Sequence, residues 1–425
     1  MSSFAASLNI VMIRSETNKR KIFNDPVYGF ISIPNPLLFD LIEHPYFQRL
    51  RRITQLGLSH LVYPGAIHTR FQHSMGALFL MGHALRTLME KGIPISEEEQ
   101  TATNIAILLH DIGHGPYSHT LEGVLIQGIT HEEITNYLLD LLNKEFDGKL
   151  DLAISIYHNT YQRNFFHQLV SSQLDMDRLD YIRRDSFFTG VSEGVIGTER
   201  LIKMLNVVDD QIVVEEKGIY SVEKFLVARR LMYWQVYLHK TGIVAEQLLI
   251  QIIKRAKDLA KEGISVYGSP AFQFFINQQP NKTSFFRNSD VLTHFTEIDD
   301  FDIMGAIKIW TKHADRSLSI LSQMLVNRNL PKIQIEKEKQ DPAQLEKIRS
   351  AIAKKYRISF EETKHFVVSG TVSNRAYNLE HEGIFIVSKK GALTDIATAS
   401  DNFNVRTLSD PVKKYFLYYP KDIDI

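Results

Sequence analysis

The segment over residues 110–119 is the sequence feature that most restricts what this chain can fold into and do. An aliphatic run leads into adjacent His110 and Asp111, and two more histidines, His114 and His119, follow within the same segment. Imidazole and carboxylate groups at the end of an apolar helix lose solvation unless they find partners, and a divalent cation suits both types. The segment therefore predicts a metal site. The simpler interpretation, histidines that cap the end of a helix, would be preferred only for a single His–Asp pair.

Local spacing predicts how these side chains are arranged. The helical register is expected to place His110 and His114 on one face, because residues four apart are neighbours on a helix. The Gly-His-Gly-Pro sequence at 113–116 is expected to end the helix, so that His119 lies on a tighter, non-helical turn.

Charge and cysteine content narrow the range of ligands and partners. The 425 residues include 49 basic and 49 acidic side chains, so no net field draws the chain to nucleic acid, and nucleic-acid binding is not expected. The sequence has no cysteine, so a metal must be held by His, Asp, Glu and water. These ligands suit Mg, Mn, Fe, Ni or Zn without choosing among them.

The sequence shows no targeting or membrane segment. Residues 1–20 lack an apolar stretch followed by a small-residue cleavage site, and no apolar run approaches the length that spans a bilayer. We therefore expect a cytoplasmic protein with no membrane partner.

Hydrophobic periodicity divides the chain into three parts. A tail over 1–20 precedes a helical catalytic domain over 21–329, which begins with a short hairpin, and an α+β lobe follows over 330–425. Within the helical domain, the pattern predicts a nearly all-apolar helix over 74–91 and a second helix over 97–109.

The same pattern separates loops from strands. Loops are expected at 263–269 and 279–289, and a short strand signal at 211–214 interrupts the helices. In the lobe, four apolar runs predict strands, and a charged stretch over 341–356 predicts a helix.

Two other segments supply candidate ligands. His73 lies just before the predicted apolar helix, and Asp177 lies in an Asp-Met-Asp-Arg-Leu-Asp-Tyr segment. With His110 and Asp111 they form a His…His-Asp…Asp set. That set can converge only if the helices that carry it pack together.

Several sequence blocks, in this order and at this spacing, resemble the HD superfamily of metal-dependent phosphohydrolases. They are Phe-Gln-Arg-Leu-Arg at 47–51, Gln-Leu-Gly at 55–57, Tyr-Pro-Gly-Ala at 63–66, and the segments 68–74, 110–119, 175–181 and 237–240. Within the superfamily they resemble the dGTPase-like dNTP triphosphohydrolases, which are related to the vertebrate SAM-and-HD-domain enzyme. The resemblance covers residues 24–260. It implies a mainly α fold, an HD-domain helical phosphohydrolase body with a small α+β C-terminal lobe.

The resemblance also implies a metal set and a reaction. His73, His110, Asp111 and Asp177 would bind a divalent ion, and a dNTP would be cleaved at the α-phosphorus to a deoxynucleoside and triphosphate. When bound, such an ion activates water at neutral pH and polarises a phosphoryl oxygen. The leaving 5′-oxygen needs a proton, which histidine can supply near neutral pH.

Three histidines, His114, His119 and His131, are implied by the resemblance to line the catalytic part of the site beside Asp111. Either His119 or His131 is expected to be the general acid. The sequence leaves that choice open.

Family positions that contact the substrate fall on nine residues. Four of them are expected at the phosphates: Arg70, Arg178, Arg229 and Lys240. Three are expected at the deoxyribose: Gln55, Leu56 and Tyr181. The other two substrate-binding residues are Asp185 and Tyr237. Guanidinium groups fit phosphate oxygens, and an aromatic face beside an aliphatic wall offers no partner to a 2′-hydroxyl. Without the family, Arg229 would be a solvated helix arginine, and Leu56 and Tyr181 would be ordinary core residues.

The resemblance also implies how the protein is regulated and assembled. Glu43, Gln48 and Arg51 match a guanine-nucleotide activator site of the vertebrate relative, with Glu43 in place of Asp; the alternative is a solvated helix face. The family forms dimers or dimer-based tetramers, so a homo-oligomer is expected.

The sequence departs from the family pattern in two places. The chain begins almost directly at the catalytic region, so a SAM domain is not expected, and Gln72 stands where family members often have Glu.

These observations together predict a metal-dependent dNTP triphosphohydrolase, with dGTP as one candidate for the preferred substrate. Two alternatives stay open at this point. One is another HD phosphohydrolase, such as a nucleotide monophosphatase or a cyclic-nucleotide or alarmone hydrolase. The other is a nucleotide-sensing module without enzyme activity.

Overall fold

The computed structural model describes residues 21–374, 383–400 and 412–423, and all structural statements below refer to these residues. The fold is mainly α-helical with small β-sheets, which confirms the predicted fold class. The predicted tail over 1–20 lies outside the described residues. No helix in the described part of the chain combines the length and the apolar character needed to cross a bilayer.

The helices follow one another along most of the chain. They are α1 Pro36–Glu43, α2 Pro45–Gln48, α3 Arg70–Glu90, α4 Glu97–Leu109, α5 His131–Glu145, α6 Asp151–Tyr157, α7 Asn164–Val170, α8 Met176–Thr189, α9 Thr198–Met204, α10 Ile219–Met232, α11 Lys240–Lys261, α12 Pro270–Gln278, α13 Lys282–Arg287, α14 Ser289–Glu297, α15 Asp300–Trp310, α16 Arg316–Val326, α17 Pro342–Tyr356 and α18 Ile396–Ala399.

The strands form three small sheets. They are β1 Ile22–Asp25, β2 Gly29–Ser32, β3 Leu205–Val208, β4 Gln211–Glu215, β5 Lys332–Glu336, β6 Val368–Asn374, β7 Phe385–Val387, β8 Leu393–Asp395 and β9 Val412–Tyr419. The sheets are the hairpin β1-β2, a four-stranded sheet in the order β3-β4-β7-β8, and a three-stranded sheet in the order β5-β9-β6. In the second sheet β4 and β7 are parallel, so strands from the C-terminal region extend a hairpin that begins within the helical part.

Helix boundaries agree with the sequence pattern except where a polar cap intervenes. Helix α4 spans the predicted 97–109, but α3 begins at Arg70 rather than at residue 74. The reason is a capping box, in which the Thr69 N–H donates to Gln72 Oε1 at 2.9 Å. His73 therefore lies within the first turn of α3, not before the helix.

A second difference lies in the predicted loop over 279–289, which contains the short helix α13. Asn281 begins this helix, because its Oδ1 accepts the Ser284 N–H at 3.0 Å while Ser284 Oγ accepts the Asn281 N–H at 2.8 Å. The polar composition that indicated a loop instead supplies a cap.

The packing of α3 against α4 and α8 sets the position of the site. Gly76 on α3 faces α8 so closely that a Cβ at this position would overlap the Asp180 carboxylate and the Arg184 guanidinium. This close approach helps to bring the first turns of α3 and α8 together. The packing of the two helices therefore requires glycine at position 76.

Gly76→Ala is therefore expected to lower the free energy of unfolding by about 1–3 kcal/mol, the usual range for overpacking a core. Gly82→Ala is the matched control on the same helix, because a Cβ at Gly82 meets nothing within 4 Å. It should be neutral or raise stability by up to about 1 kcal/mol, since alanine favours a helix interior. Urea unfolding followed by circular dichroism measures both. Equal stability of the two variants would contradict the close approach of α3 and α8.

Candidate active site

Three helices bring the four predicted metal ligands together. His73 lies in the first turn of α3, His110 is the C-cap of α4 with Asp111 beside it, and Asp177 lies in the first turn of α8. The Nε2 atoms of His73 and His110 are 3.3 Å apart, and Asp177 Oδ1 lies 3.1 Å and 3.5 Å from them. The Asp111 carboxylate lies 3.6 Å from His73 Nε2 and 3.5 Å from His110 Nε2. The four side chains share one small volume.

Hydrogen bonds behind the two rings direct their lone pairs into this volume. His73 Nδ1 lies 2.8 Å from Asp180 Oδ2, and His110 Nδ1 lies 2.6 Å from the carbonyl oxygen of Ile107. Because both partners can only accept, each Nδ1 donates, so that each ring, once its Nε2 has lost its proton, turns the Nε2 lone pair toward Asp177. Three lone-pair atoms within 3.5 Å of one another need a positive charge among them, so the donor set fits a divalent cation.

The carboxylates around the imidazoles of His73 and His110 stabilise the protonated, positively charged form of both rings. Burial lowers the pKa of His73, but hydrogen bonds to Asp177 and Asp180 outweigh it and raise the pKa to about 10. Burial likewise opposes a rise in the pKa of His110, which the negative charges of Asp111 and Asp177 nevertheless produce. The imidazoles hold the pKa of Asp177 well below its usual range against the effect of burial. A cation that binds here displaces protons, so its affinity rises with pH.

A buried chain of ion pairs supports His73 from behind. Arg184 Nε donates to Asp180 Oδ2 at 2.9 Å, and Arg184 Nη1 donates to Asp25 Oδ2 at 2.7 Å. Asp180 and Arg184 were not singled out from the sequence, although they follow Asp177 at helical spacing. That spacing shows only that they share a face of α8, and their role depends on where His73 lies in space.

The prediction that His110 and His114 share a helical face is wrong. Helix α4 ends at Leu109, and turns follow over residues 110–113. Here the Gly113 N–H donates to Thr135 Oγ1 at 3.0 Å on α5 instead of continuing the helical pattern. The early end of the helix leaves His110 with the metal ligands and carries His114 to a separate cluster.

His114, His119 and His131 form this second cluster. The ring of His114 lies 3.9 Å from that of His131 and 5.0 Å from that of His119, measured between centroids. Glu122 connects two of them, because its carboxylate lies 3.1 Å from Nδ1 of His119 and 3.1 Å from Nδ1 of His131. These hydrogen bonds keep the pKa of Glu122 well below its usual range although burial opposes them. The sequence signal for Glu122 is its position three residues after His119.

The three rings differ in their access to solvent. His114 is buried, and burial together with the charge of Arg70 keeps its pKa well below the usual range. The side chain of His119 is 67% exposed and lines the main cavity, whereas that of His131 is 18% exposed and lines a smaller neighbouring cavity. Of the two candidates for the general acid, His119 is the one that faces the main cavity.

The cavity that we call the main cavity, because it adjoins the metal ligands, has a volume of about 510 Å³. A larger cavity of about 670 Å³ lies at the far end of α8. Among the predicted site residues, those that line it are Gln55, Leu56, Arg70, His119, Asp177, Arg178, Tyr181, Asp185 and Tyr237. Residues that line it without having been predicted include Ser118, Tyr233, Glu246 and Gln247. Most of the predicted substrate positions thus meet around one space.

Two predicted cations, Arg229 and Lys240, do not line this cavity. Lys240 is exposed as the first residue of α11. Arg229 lies near Tyr181. Burial raises the pKa of the Tyr181 hydroxyl well above its ordinary value, and the positive charge of Arg229 opposes part of this rise. Nε of Arg178 and both Nε and Nη1 of Arg229 are buried without a hydrogen-bond partner among the described residues. Buried guanidinium donors that lack an acceptor favour an anion nearby.

A hydrogen-bonded group fixes Asp185 at the wall of the cavity. The Tyr237 hydroxyl donates to Asp185 Oδ2 at 2.7 Å, and His68 Nε2 lies 2.7 Å from Asp185 Oδ1. The ring of Phe188 stacks on His68 with 4.4 Å between centroids. His68 belongs to a motif quoted above but was given no role, because the sequence does not show that it reaches Asp185.

The predicted activator residues lie apart from the main cavity. Arg51 Nε donates to Gln48 Oε1 at 2.8 Å, and the Arg51 guanidinium stacks 3.5 Å from the ring centroid of Phe71. Glu43 is exposed at the end of α1. Residues of this chain thus already hold Arg51, and nucleotide binding at this surface stays a prediction.

Glu246 on α11 is the charged residue of the cavity wall that sequence reasoning missed. Burial raises the pKa of its carboxyl to about 7. The ionised form is therefore less stable in the folded protein than in the unfolded chain. This penalty is absent at pH values below about 4, grows between about 4.5 and 7, and is complete above pH 7.

Glu246→Gln is consequently expected to raise the midpoint temperature of unfolding at pH 8 by about 1–3 °C, given that 1 kcal/mol shifts Tm of domains of 150–250 residues by about 2–4 °C. At pH 4 the variant and the parent should unfold at the same temperature. Glu346→Gln, at an exposed position of α17, is the control and should show no such dependence on pH. Thermal unfolding at several pH values measures all three. A constant difference across the pH range would contradict the raised pKa of Glu246.

Comparisons with known proteins agree with this geometry. Models of known families match two parts of the chain, the HD domain over residues 70–184 and the HD-associated region over 196–267. The crystal structure of a phosphohydrolase from Bacteroides thetaiotaomicron is similar with a TM-score of 0.92 and 51% sequence identity, over 94% of this chain and 99% of that one.

Two relatives differ in how much of the chain they share. The uncharacterized protein YwfO of Bacillus subtilis is 29% identical over 424 residues, which covers 96% of this chain and 93% of that protein. The deoxynucleoside triphosphate triphosphohydrolase SAMHD1 homolog of Dictyostelium discoideum is 32% identical over 266 residues, which covers 58% of this chain and 51% of that protein. The chain thus matches about half the length of this triphosphohydrolase.

The HD-domain match runs from the first residue of α3 to the middle of α8, so it contains all four residues of the convergent ligand set. The similarity to the Bacteroides phosphohydrolase covers nearly all of both chains. The chain belongs to the HD-domain phosphohydrolase superfamily.

Proposed function

We propose that this protein is a metal-dependent dNTP triphosphohydrolase, which converts a dNTP and water into a deoxynucleoside and triphosphate. The observation that carries the proposal is the cavity itself. Asp177 of the ligand set lines it together with two arginines, Arg70 and Arg178, and so do the aromatic and aliphatic side chains expected beside a deoxyribose. The named dNTP triphosphohydrolase among the relatives supports the same substrate class.

The residues that would hold the metal are His73, His110, Asp111 and Asp177. When bound, a divalent ion activates water at neutral pH and polarises a phosphoryl oxygen. Asp180 and Ile107 act behind the ligands, because their hydrogen bonds fix the ring orientation of His73 and His110.

Arginine side chains are suited to bind the triphosphate. Arg70 is held in place by its Nε, which donates to Ser118 Oγ at 2.7 Å, and by its ion pair with Asp111. Arg178 pairs with Asp175, which leaves Nε free for another acceptor. Arg229 has two unused buried donors and would be the third cation, provided that substrate reaches it from the cavity. Charge-assisted bonds to these groups would neutralise the transferring phosphate.

Aromatic side chains would select the sugar. Tyr181 and Tyr237 lie with 6.0 Å between ring centroids, and both line the cavity together with Leu56. The Tyr237 hydroxyl is already engaged with Asp185. A 2′-hydroxyl placed against this wall would lose its hydration without gaining a partner, which disfavours ribonucleotides.

His119 is the residue that we assign as general acid. In the proposed reaction a water oxygen attacks the α-phosphorus, the bond from the α-phosphorus to the 5′-oxygen breaks, and the 5′-oxygen takes up a proton. His119 faces the cavity and can deliver that proton, while Glu122 holds its Nδ1 and orients the ring. His131 shares Glu122 but faces the neighbouring cavity, so its assigned role is to position Glu122.

The experiment that tests the function is incubation of the protein with each dNTP and with Mn²⁺ or Mg²⁺, followed by chromatographic separation of the products. A deoxynucleoside and intact triphosphate are expected. Inorganic phosphate as the product would instead identify another class of phosphohydrolase.

The double variant His110→Ala/Asp111→Ala is expected to lose both bound metal and turnover, because it removes two of the four proposed ligands, while it keeps its helical circular dichroism. Metal analysis of the purified variant measures the loss, and normal metal content would contradict the ligand assignment.

His119→Ala is expected to lower kcat by about 10²–10⁴-fold, the range typical of general acid–base groups, while the metal content stays unchanged. His131→Ala serves as the comparison and should lower kcat less, because Glu122 still bonds to His119. Steady-state rates and metal analysis of both variants decide between the two residues. A larger loss at His131 would reverse the assignment.

A further inference from the structure

The turn that carries His119 has an unfavourable backbone. Tyr117 and Ser118 both have φ values of 52°, so two consecutive residues with side chains adopt the left-handed conformation. This conformation is disfavoured for L-residues other than glycine, and asparagine and aspartate tolerate it best. Contacts elsewhere in the structure must therefore hold the turn in this shape.

Asp300, the first residue of α15, makes such contacts. Its Oδ1 accepts the Tyr117 N–H at 2.7 Å, and its Oδ2 accepts the N–H and the Oγ1 hydroxyl of Thr54 at 2.8 Å and 2.6 Å. The side chain is buried, so its carboxylate bonds to the turn and to Thr54 rather than to solvent. Three of the roughly four acceptor sites of this carboxylate are thus bonded to donors inside the protein.

Thr54 and Ser118 transmit this constraint to the cavity. The Ser118 hydroxyl donates to the Thr54 carbonyl oxygen at 3.0 Å and accepts from Arg70 Nε at 2.7 Å. Thr54 also pairs with Thr69 in an antiparallel bridge directly before α3. The position of the Arg70 guanidinium thus depends on the same turn that presents His119.

The neighbour of Asp300 has a different role. Asp299 caps α15, because its Oδ1 accepts the Phe301 N–H at 2.9 Å, and its other oxygen pairs with Arg52 near the surface. Both acidic residues lie outside the two segments that the family models match. Since they are adjacent and similarly buried, they form a matched pair for experiment.

We propose that Asp300 is a positioning residue for catalysis, which holds the left-handed turn at Tyr117 and Ser118 and thereby sets the places of Arg70 and His119. The proposal rests on the proposed function only for the choice of dNTP as the assay substrate. Asp300 itself touches no residue of the metal set and reaches Asp111 only through Ser118 and Arg70, so it should act mainly on turnover and substrate binding and change metal affinity less.

Asp300→Asn tests the proposal, because the amide has the same shape but turns an N–H toward one of the two backbone N–H donors. The expected result is a loss of about 10²-fold in kcat/KM, the effect of a misplacement of about 1 Å. Affinity for Mn²⁺, measured by titration calorimetry, should fall by a much smaller factor than kcat/KM does, because Asp300 is linked to Asp111 only through Arg70. Asp299→Asn keeps a good helix cap and should retain kcat/KM within about twofold of the parent.

Hydrogen exchange of the peptide that spans residues 113–120 gives a readout that does not depend on dNTP turnover. Asp300→Asn should speed exchange in this peptide, and Asp299→Asn should not. If Asp300→Asn folds poorly, Thr54→Val removes one of the three bonds with little change of shape and should produce a smaller loss in the same direction.

The outcomes separate the two hypotheses. Parent-like kinetics and exchange in Asp300→Asn would overturn the positioning role, as would an equal loss in Asp299→Asn or a loss of Mn²⁺ binding. If the parent itself fails to hydrolyse dNTPs, the proposed function fails, whereas the exchange measurement still decides whether Asp300 holds the turn.

Discussion

The structure depends most on the buried ion pairs that join α3, α8 and the first strand. Arg184 binds Asp180 and Asp25, and Asp180 in turn holds the His73 ring. One guanidinium therefore serves the packing of two helices and the orientation of a metal ligand at the same time. Loss of one partner would leave an uncompensated charge in a dry environment, so the fold and the site are coupled at this point.

Charge balance extends from this chain of ion pairs to the whole site. Carboxylates surround the imidazoles of the ligand set, while Arg70 and Arg178 lie at the cavity beyond them. The protein thus places acceptors around the proposed cation site and donors around the proposed phosphate site. Sites of this kind are organised before the substrate arrives, so the protein reorganises little during the reaction.

Sequence reasoning recovered the fold class because this depends on periodicity. The four side chains that the family resemblance implied as ligands lie close together in the structure, and metal binding by them stays a prediction. Sequence reasoning did not find Asp180, Glu122 or Asp300, whose partners lie on other elements or far along the chain. It also placed His110 and His114 on one helical face, since spacing alone does not reveal that Gly113 bonds to α5. Helix boundaries, caps and supporting contacts are decided by packing, which a local pattern does not contain.

The parallel pairing of β4 with β7 has a consequence for how the chain reaches its native state. These strands are separated by a long stretch of sequence, and their contact closes a large loop. Closing a loop of this length costs entropy, so the β4 edge of the β3-β4 hairpin is open in any state in which β7 has not yet paired with it. An exposed edge strand pairs readily with other chains. The C-terminal strands therefore act as a cover for this edge, and protein that lacks them would be prone to aggregate during folding.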